Sequence, residues 1–492
     1  MADSGEVVAV ACNLGVAHPP GYPLYTLLGH AFCSLPFSTP AGRVGLLSVV
    51  AGVVSILALL GLVRRLTGNL MAGFFAALTL ATGPIFWRHS SLAEVYTLNA
   101  ALVLLTLYLS LRAKQAQSTA ACKGWSALAG LFWGFSLSHH HSAIFIAPVV
   151  AVAVLVPAGA LWRRLSRMLC AFAAFLFGLL PYLYLVVASP QRTPRWGHTE
   201  TFDGFIQHVL RRDYGSLKIS ITGEASPFST LGTFFKGLPE QLAWVFFPLL
   251  LWGVWQLLVP RGAELKLRAG RPMCWALVLS FLLAGPFFLS LFNIEAISLG
   301  RQEVERFFVL PIALFCIALG VAFASFDGWI RRIAEGSRLA LYRGAIGGVL
   351  GLAALSSYAK ADVRESFAVE DYAENVLRTV ARDALILGTG DVRFFSLNYV
   401  QHVLGLRQDV QYVDLKMLLY PWYVEQQRRL YPRFDYTFQT GSVDSRRVVH
   451  SALAAGRPVY LANIFSARAK SFAAYPEGPL LHLVKPGQPS PA

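Results

Sequence analysis

Six groups of polar residues in this chain are of types that could do chemistry. The first is Asp3-Ser4-Gly5-Glu6, two carboxylates beside a glycine turn. Paired acids suit general-base work, because one carboxylate takes the proton of an attacking hydroxyl while its neighbour tunes or orients it. A solvated, frayed terminus is the plain alternative. The second is His18-Pro19-Pro20-Gly21-Tyr22-Pro23, a turn stiffened by three prolines. There His18, with Tyr22 beside it, can donate to a phosphate or sugar hydroxyl or simply hold the turn. Arg88-His89 forms the third, with Glu94 and Tyr96 at the edge of an apolar stretch. Ionisable groups at such an edge are costly and point to function, although a carboxylate at a helix N-terminus also gains from the dipole. The fourth is His139-His140-His141 in a tight turn. Three consecutive histidines cannot all face one ion, so contact of one or two with phosphate or sugar, His140 being the candidate, stands against a solvated turn. In the fifth, Arg301-Gln302-Glu303-Val304-Glu305-Arg306, Arg306 can clamp a phosphate bidentately or pair with a glutamate nearby. The sixth runs through Trp196-Gly197-His198-Thr199, Phe202-Asp203-Gly204-Phe205 and Arg211-Arg212-Asp213-Tyr214-Gly215. Rings interleaved with Arg and His suit sugar stacking and phosphate contact, or an amphipathic helix lying on a membrane.

The elements that must position these groups follow from composition. The chain has 492 residues, 55% hydrophobic and 14% charged, with a net charge of +15 and a mean hydropathy of +0.53. A soluble domain carries about 25% charged residues, so a water-soluble nucleic-acid binder and a disordered chain are both excluded in favour of an integral membrane protein. A span needs about 20 mostly apolar residues. Ten stretches qualify: 44–63, 70–87, 92–111, 124–138, 142–161, 168–188, 240–259, 273–292, 307–325 and 344–358. The shorter stretch 23–37, interrupted by prolines, reads as an interfacial or re-entrant helix. The loops 64–69, 112–123, 162–167, 260–272 and 326–343 hold 16 Lys and Arg against three acids, whereas 88–91, 139–141 and 293–306 hold only Arg88, Arg301 and Arg306. By the positive-inside rule the first set is cytoplasmic. The opposite side then receives residues 1–43, the long loop 189–239, the tail and all six polar groups. The basic excess is thereby mostly a topology label: outside those five loops stand 26 Lys and Arg against 24 acids.

Cysteines 12, 33, 122, 170, 274 and 316 form no C-x-x-C pair and mostly lie in apolar runs, so they read as small core residues rather than a disulfide frame or metal site. The opening residues lack the charged and apolar regions of a signal peptide. From about 360 the chain changes character. Short apolar runs, Ala384 to Leu387, Asp409 to Asp414 and Pro458 to Leu461, alternate with helix-like stretches at Phe394 to Leu404 and at 444–455. That spacing predicts a small α/β domain. The chain divides into a membrane domain, 1–358, and a tail domain, 359–492.

Taken together, these groups place acids, histidines and arginines on one face of a multi-span bundle, where a lipid-linked phosphosugar could be attacked. The sequence resembles the transmembrane protein 260 family of O-mannosyltransferases and its bacterial relatives, within the GT-C glycosyltransferase superfamily. The resemblance is carried by Asp3 to Glu6, Leu14 to Pro23, Ala93 to Asn99, Trp196-Gly197, Arg212 to Gly215, Glu305 to Phe308, Gly390-Asp391 and the segment 397–423. It implies a mainly α, polytopic bundle of GT-C type with about ten spans, followed by a small extracytoplasmic α/β domain. It also implies a spanning helix before Asp3, so the expectation is that the start lies upstream and one helix is missing. The implied donor is a polyprenyl- or dolichyl-phosphate sugar, mannose-like, and the implied acceptor a hydroxyl of a protein or glycan. No metal, other cofactor or nucleic acid is implied. Asp3 becomes the expected base, with Glu6 second. His18, Tyr22, Arg88, Glu94, Tyr96, His140, Trp196 and Arg306 become candidates for donor or acceptor contact. The expected setting is a bacterial inner membrane, or the endoplasmic reticulum membrane of a eukaryote. A transporter or lipid flippase is the rival reading. It predicts paired halves with broken helices and charges at mid-membrane, whereas here the charges sit at span ends.

Overall fold

The computed structural model describes residues 3–156, 161–188, 190–214, 219–220, 227–259, 267–293, 304–432, 445–462, 472–485 and 487. Arg301 to Glu303 of the fifth polar group and Gly215 of the sixth lie outside them. The chain opens with α1 (Ser4–Asn13) and α2 (Pro23–Cys33), followed by α3 (Pro40–Thr67), α4 (Leu70–Thr82), α5 (Pro84–Ser90), α6 (Val95–Gln115) and α7 (Thr119–His139). Local signals set these ends. Thr39 accepts a hydrogen bond from the Gly42 N–H to cap α3, and Gly68, at φ 77°, ends it.

Among the described residues six helices are long and apolar enough to cross a membrane: Pro40–Thr67, Val95–Gln115, Leu161–Val187, Arg271–Ser290, Arg306–Ile333 and Ser337–Ala361. The count is eight if two bent pairs, α4 with α5 (72°) and Phe228–Gln241 with Trp244–Leu258 (107°), each form one span. The protein is therefore integral to a membrane. Stretch 124–138 lies on α7, which buries Ser126, Ser136, Ser138 and His139 inside the bundle, and stretch 142–161, whose residues 157–160 lie outside the described residues, overlaps the shorter apolar helix His141–Leu155.

The span Arg306–Ile333 runs through the middle of the bundle, 94% of its apolar window buried. Close helix contacts depend on glycine. A Cβ on Gly134 would stand 2.3 Å from the Phe175 carbonyl oxygen, and one on Gly178 2.3 Å from that of Leu131, so α7 and Leu161–Gly178 meet backbone to backbone. A disulfide joins Cys12 at the end of α1 to Cys33 at the end of α2. This corrects the reading of all six cysteines as core residues. The partners are 21 positions apart, and only the packing of α2 alongside α1, with their C-terminal ends meeting and His30 on the Ala11 carbonyl at 3.0 Å, brings them together.

The tail forms a five-stranded sheet of order β4-β3-β5-β7-β6, with β3 (Leu385–Gly388) parallel to both β4 (Gln411–Asp414) and β5 (Val459–Leu461), and an antiparallel pair β6 (Ala473–Glu477) and β7 (Leu480–Val484) at one side. Two further pieces, β1 (Ile219–Ser220) and β2 (Phe292–Asn293), pair in parallel beside the bundle. Strand β3, flanked on both sides, is buried at every position, as its continuous apolar run requires. It leads through Thr389 and Gly390 into the helix Asp391–His402.

That helix lies alongside α1. The Gly5 Cβ position is 2.7 Å from the Phe395 carbonyl oxygen, and one end of the contact is tied where Asn13 Nδ2 donates to the His402 carbonyl at 3.2 Å. From Gly5 to Asn13 and from Phe395 to His402 the two helices advance together, so they run parallel with their N-termini side by side. A methyl group at position 5 would fall inside contact distance of a backbone oxygen that cannot move alone. We expect Gly5→Ala to cost about 1–3 kcal/mol, read as a lower thermal unfolding midpoint of the purified protein in detergent. An unchanged midpoint would mean that the helices do not pack this closely.

Candidate active site

Asp3 occupies the N-cap position of α1, where a carboxylate ordinarily accepts from the first backbone N–H groups. Here it makes no such bond. Its Oδ2 instead accepts from Arg306 Nη1 at 2.5 Å, and both side chains are largely buried. One turn later Glu6, 1% exposed, turns both oxygens on His18. Oε1 accepts the His18 backbone N–H at 2.8 Å, and Oε2 meets Nδ1 at 2.5 Å. The frayed-terminus alternative therefore fails, because both acids are inside and partnered. Burial works against a protonated His18, but the carboxylate of Glu6, its hydrogen bond and the charge of Asp3 outweigh it and raise the imidazole above its ordinary 6.5. Tyr22 places its hydroxyl 3.3 Å from His18 Nε2. Burial raises the phenol, and the nearby Arg211 opposes that shift.

A second layer sits on the bundle side. Arg306 lies over the rings of Tyr96 (5.8 Å) and Phe307 (5.5 Å), and a cavity between it and His140 is lined also by Tyr96, Asn99, Ser142 and Phe288. His140 stacks on Tyr22 at 6.1 Å and donates to or accepts from Ser142 Oγ at 2.8 Å. Its neighbours turn elsewhere, His139 to the Val95 carbonyl at 2.8 Å and His141 to the Tyr182 hydroxyl at 3.0 Å. Three adjacent histidines thus have three separate partners. Glu94 is buried against α1 and accepts from Ser4 Oγ at 2.9 Å. Arg88 is drawn away from the cluster: it donates to the Lys360 carbonyl at 2.9 Å and pairs with Glu305 at 3.6 Å, a strut between α5 and Ser337–Ala361. Among the described residues no three His, Cys, Asp or Glu side chains are grouped to hold a metal ion.

The outer loop and the tail close the other side. Val16 and Arg195 form a parallel bridge, with the Trp196 N–H donating to the Val16 carbonyl at 3.1 Å. This sets Trp196 edge-on to His18 at 6.1 Å and against Trp422 of the tail at 5.4 Å. Phe395 stacks on His18 from the tail at 6.3 Å. One turn before it on the same helix face, the exposed Asp391 stands where the N-termini of the two parallel helices meet. Burial among neighbours raises its carboxyl, with Asp3, Glu6 and Asp414 adding to the effect and His18 opposing it. Sequence reasoning does not select Asp391. The available signal was its place just beyond the C-terminal end of a buried parallel strand, where α/β sheets present functional groups. Asp3, Glu6, His18, Tyr22, Glu94, Tyr96, His140, Trp196 and Arg306 converge; Arg88 does not.

Comparison with known proteins agrees with this arrangement. Residues 3–161 match the protein O-mannosyl-transferase TMEM260 N-terminal domain, and residues 369–433 match TMEM260-associated domain 2. The chain is 30% identical over 440 residues to protein O-mannosyl-transferase TMEM260 of Mus musculus, covering 87% of this chain and 61% of the relative. To protein O-mannosyl-transferase tmem260 of Dictyostelium discoideum it is 25% identical over 469 residues, covering 88% and 56%. The chain thus spans somewhat more than half the length of these relatives. Among solved structures, ArnT from Cupriavidus metallidurans superposes in its apo state with a TM-score of 0.59 at 14% identity, covering 98% of this chain and 92% of that one. Its form bound to undecaprenyl phosphate gives 0.58 at 15% identity, covering 98% and 91%. At such identity the likeness is one of fold, and the fold is the GT-C membrane fold.

The raised His18 has a signed consequence. A histidine whose folded value lies above its unfolded one adds stability that is complete below about pH 6.5 and is lost as pH climbs through the folded value. The stability difference between wild type and His18→Gln is therefore expected to be largest below about pH 6.5 and to shrink as pH rises through the raised value of His18. Thermal melts across that range check it, and a difference that grows with pH would contradict the Glu6–His18 pairing.

Proposed function

The chain belongs to the TMEM260 family, and from that premise we propose that it is a membrane glycosyltransferase. It moves a sugar, mannose-like, from a polyprenyl- or dolichyl-phosphate donor to an acceptor hydroxyl on the extracytoplasmic side. The observation that carries this reading is the buried Asp3–Arg306 pair at the mouth of the bundle. It sets a carboxylate that can take a proton beside a guanidinium that can take a leaving phosphate.

In the proposed reaction the acceptor oxygen attacks the anomeric carbon from the face opposite the phosphate, with inversion. The bond from that carbon to the phosphate oxygen breaks with its electron pair, and the hydroxyl proton passes to Asp3. Phosphate is already a good leaving group, so neutralising its charge matters more than protonating it. Arg306 supplies that charge from beside the cavity it shares with His140 and Tyr96. Glu6, held at both oxygens by His18, fixes α1 beneath Asp3 and stands second as a base. Tyr22 and Trp196 supply ring surface for a sugar.

The side of the membrane is supported by two independent features. Lys and Arg concentrate in the opposite loops, and the Cys12–Cys33 disulfide, at the foot of α1, belongs to an oxidising compartment. We assign 1–358 to the membrane domain and 359–492 to an extracytoplasmic α/β domain, in a bacterial inner membrane or the endoplasmic reticulum membrane of a eukaryote. Protein and glycan acceptors both fit the chemistry.

Purified protein with polyprenyl-phosphate mannose and a hydroxyl acceptor should transfer the sugar. Loss of a general base typically costs about 10²–10⁴-fold. Asp3→Asn is expected to fall in that range, and Arg306→Ala to lose activity on a similar scale. Full activity in Asp3→Asn overturns the base assignment. Lipid scrambling without transfer returns the flippase. A reporter fused after Ala492 should be active outside, and a cytoplasmic signal would invert the topology.

A further inference from the structure

A short polar network on the bundle side of the opening fixes which nitrogen of one histidine carries its proton. His140 stands at the N-cap of the short helix His141–Ile146, and its Nδ1 accepts the Ser142 backbone N–H at 3.2 Å. A backbone N–H can only donate, so Nδ1 carries no proton and the neutral ring is protonated at Nε2. The Ser142 hydroxyl, 2.8 Å from the same nitrogen, must then donate to it as well. That leaves the hydroxyl oxygen to accept from Asn99 Nδ2 at 2.9 Å. Every link runs one way, from Asn99 through Ser142 to the ring. Asn99 itself is 3% exposed, and its buried Oδ1 has no partner among the described residues.

The other edge of the ring is uncommitted. His140 is buried, and its printed contacts all run through Nδ1, so Nε2 makes no hydrogen bond to a described residue. The ring packs against Tyr22 at 6.1 Å and Tyr96 at 5.9 Å, and it lines the same cavity as Arg306 and Asn99. That cavity therefore offers a guanidinium, an uncharged N–H donor and an unpartnered amide oxygen. Buried polar groups left without partners mark a place that takes a polar ligand. An imidazolium beside Arg306 would add like-charge repulsion, whereas a neutral N–H adds a directed hydrogen bond without it.

We infer that His140, through Nε2–H, donates to an oxygen of the donor phosphate beside Arg306, and that Ser142 and Asn99 position the ring for this as a fixed tautomer. This rests on the transferase reading above. Phosphate rather than a sugar hydroxyl is the acceptor, because the charged group sharing the cavity is a cation. The contact transfers no proton: Nε2 keeps its hydrogen, and Nδ1 stays an acceptor throughout.

The plain alternative is that His140 only caps its helix, and asparagine, a preferred cap residue, separates the two. Its side-chain oxygen can take the Ser142 N–H in place of Nδ1, but it has nothing at the height of Nε2. Glutamine reaches that height with an amide N–H. The full chain in lipid nanodiscs is titrated with polyprenyl phosphate and, as a control for the lipid tail, with neutral polyprenol. His140→Asn is expected to keep its thermal midpoint and to lose about 10–100-fold in affinity for polyprenyl phosphate, the scale of one hydrogen bond to a charged group. His140→Gln should recover most of that loss. Nitrogen-15 spectra of histidine-labelled protein, with the His140 signals identified by their absence from His140→Asn, should show a proton on Nε2 and none on Nδ1. Undiminished affinity in His140→Asn, or a proton on Nδ1, overturns the assignment alone. If wild type binds polyprenyl phosphate no better than polyprenol, the transferase reading falls and this assignment falls with it.

Discussion

Two carboxylates taken out of water govern how this structure is put together. Burying an ionised acid costs several kcal/mol unless a counter-charge and further hydrogen bonds replace its hydration. Glu6 meets that demand within twelve residues, through the ring and the backbone N–H of His18. Asp3 meets it across 303 positions, through Arg306 at the start of the most deeply buried span. Neither pair can form unless α1 is held firmly. The disulfide to α2, the Tyr184 hydroxyl on the Gly15 carbonyl at 2.7 Å and Asn13 on the His402 carbonyl hold it from three directions. Each of these fixed points comes from a different part of the chain: α2, the end of the span Leu161–Val187 and the tail.

The glycines show how tightly that placement is specified. At position 5 a side chain would collide with the backbone of Phe395, and at position 15 a Cβ would stand 2.1 Å from the Pro194 carbonyl oxygen. Gly5 lies between the two acids and Gly15 just past the end of α1, and both let a neighbouring backbone approach closer than any other residue allows. The same backbone-to-backbone contact that seats α7 on its neighbour in the bundle thus recurs at the mouth. There it fixes α1 against the outer loop on one side and against the tail helix on the other.

The membrane class, the alternating loop charge and the strand–helix–strand run of the tail are legible in the sequence, because hydrophobic length and period report directly on burial. The chemically suggestive residues are legible by type. Their partners are not. Nothing local tells Arg306 from Arg88, yet one meets Asp3 and the other braces α5 against the Lys360 carbonyl. Cys12 and Cys33 look like core cysteines until the C-terminal ends of α1 and α2 meet. Asp391 stands 388 positions from Asp3, and only the register of two parallel helices joins them. Hydropathy does not say whether a helix face meets lipid or protein, and the serines and histidine that α7 buries among its apolar residues show the difference. What escapes the sequence is in every case a contact between distant segments.

The charge balance at the mouth joins the two halves of the proposed reaction. In the resting site Arg306 pairs with the Asp3 carboxylate. A donor phosphate arriving in the neighbouring cavity must share that guanidinium, so Asp3 loses part of its counter-charge and becomes the stronger base for it. As the acceptor proton moves to Asp3, the carboxylate becomes neutral and releases Arg306 to the phosphate, whose negative charge grows as the sugar departs. Proton uptake and leaving-group stabilisation are then one event, transmitted through a single ion pair. Glu6 beneath favours the protonated form of His18 and raises it above its ordinary value. A site built this way needs no strong acid to run an inverting transfer. What it does need is that the N-terminus of α1 stay within hydrogen-bonding distance of residue 306, and the surrounding packing is arranged to keep it there.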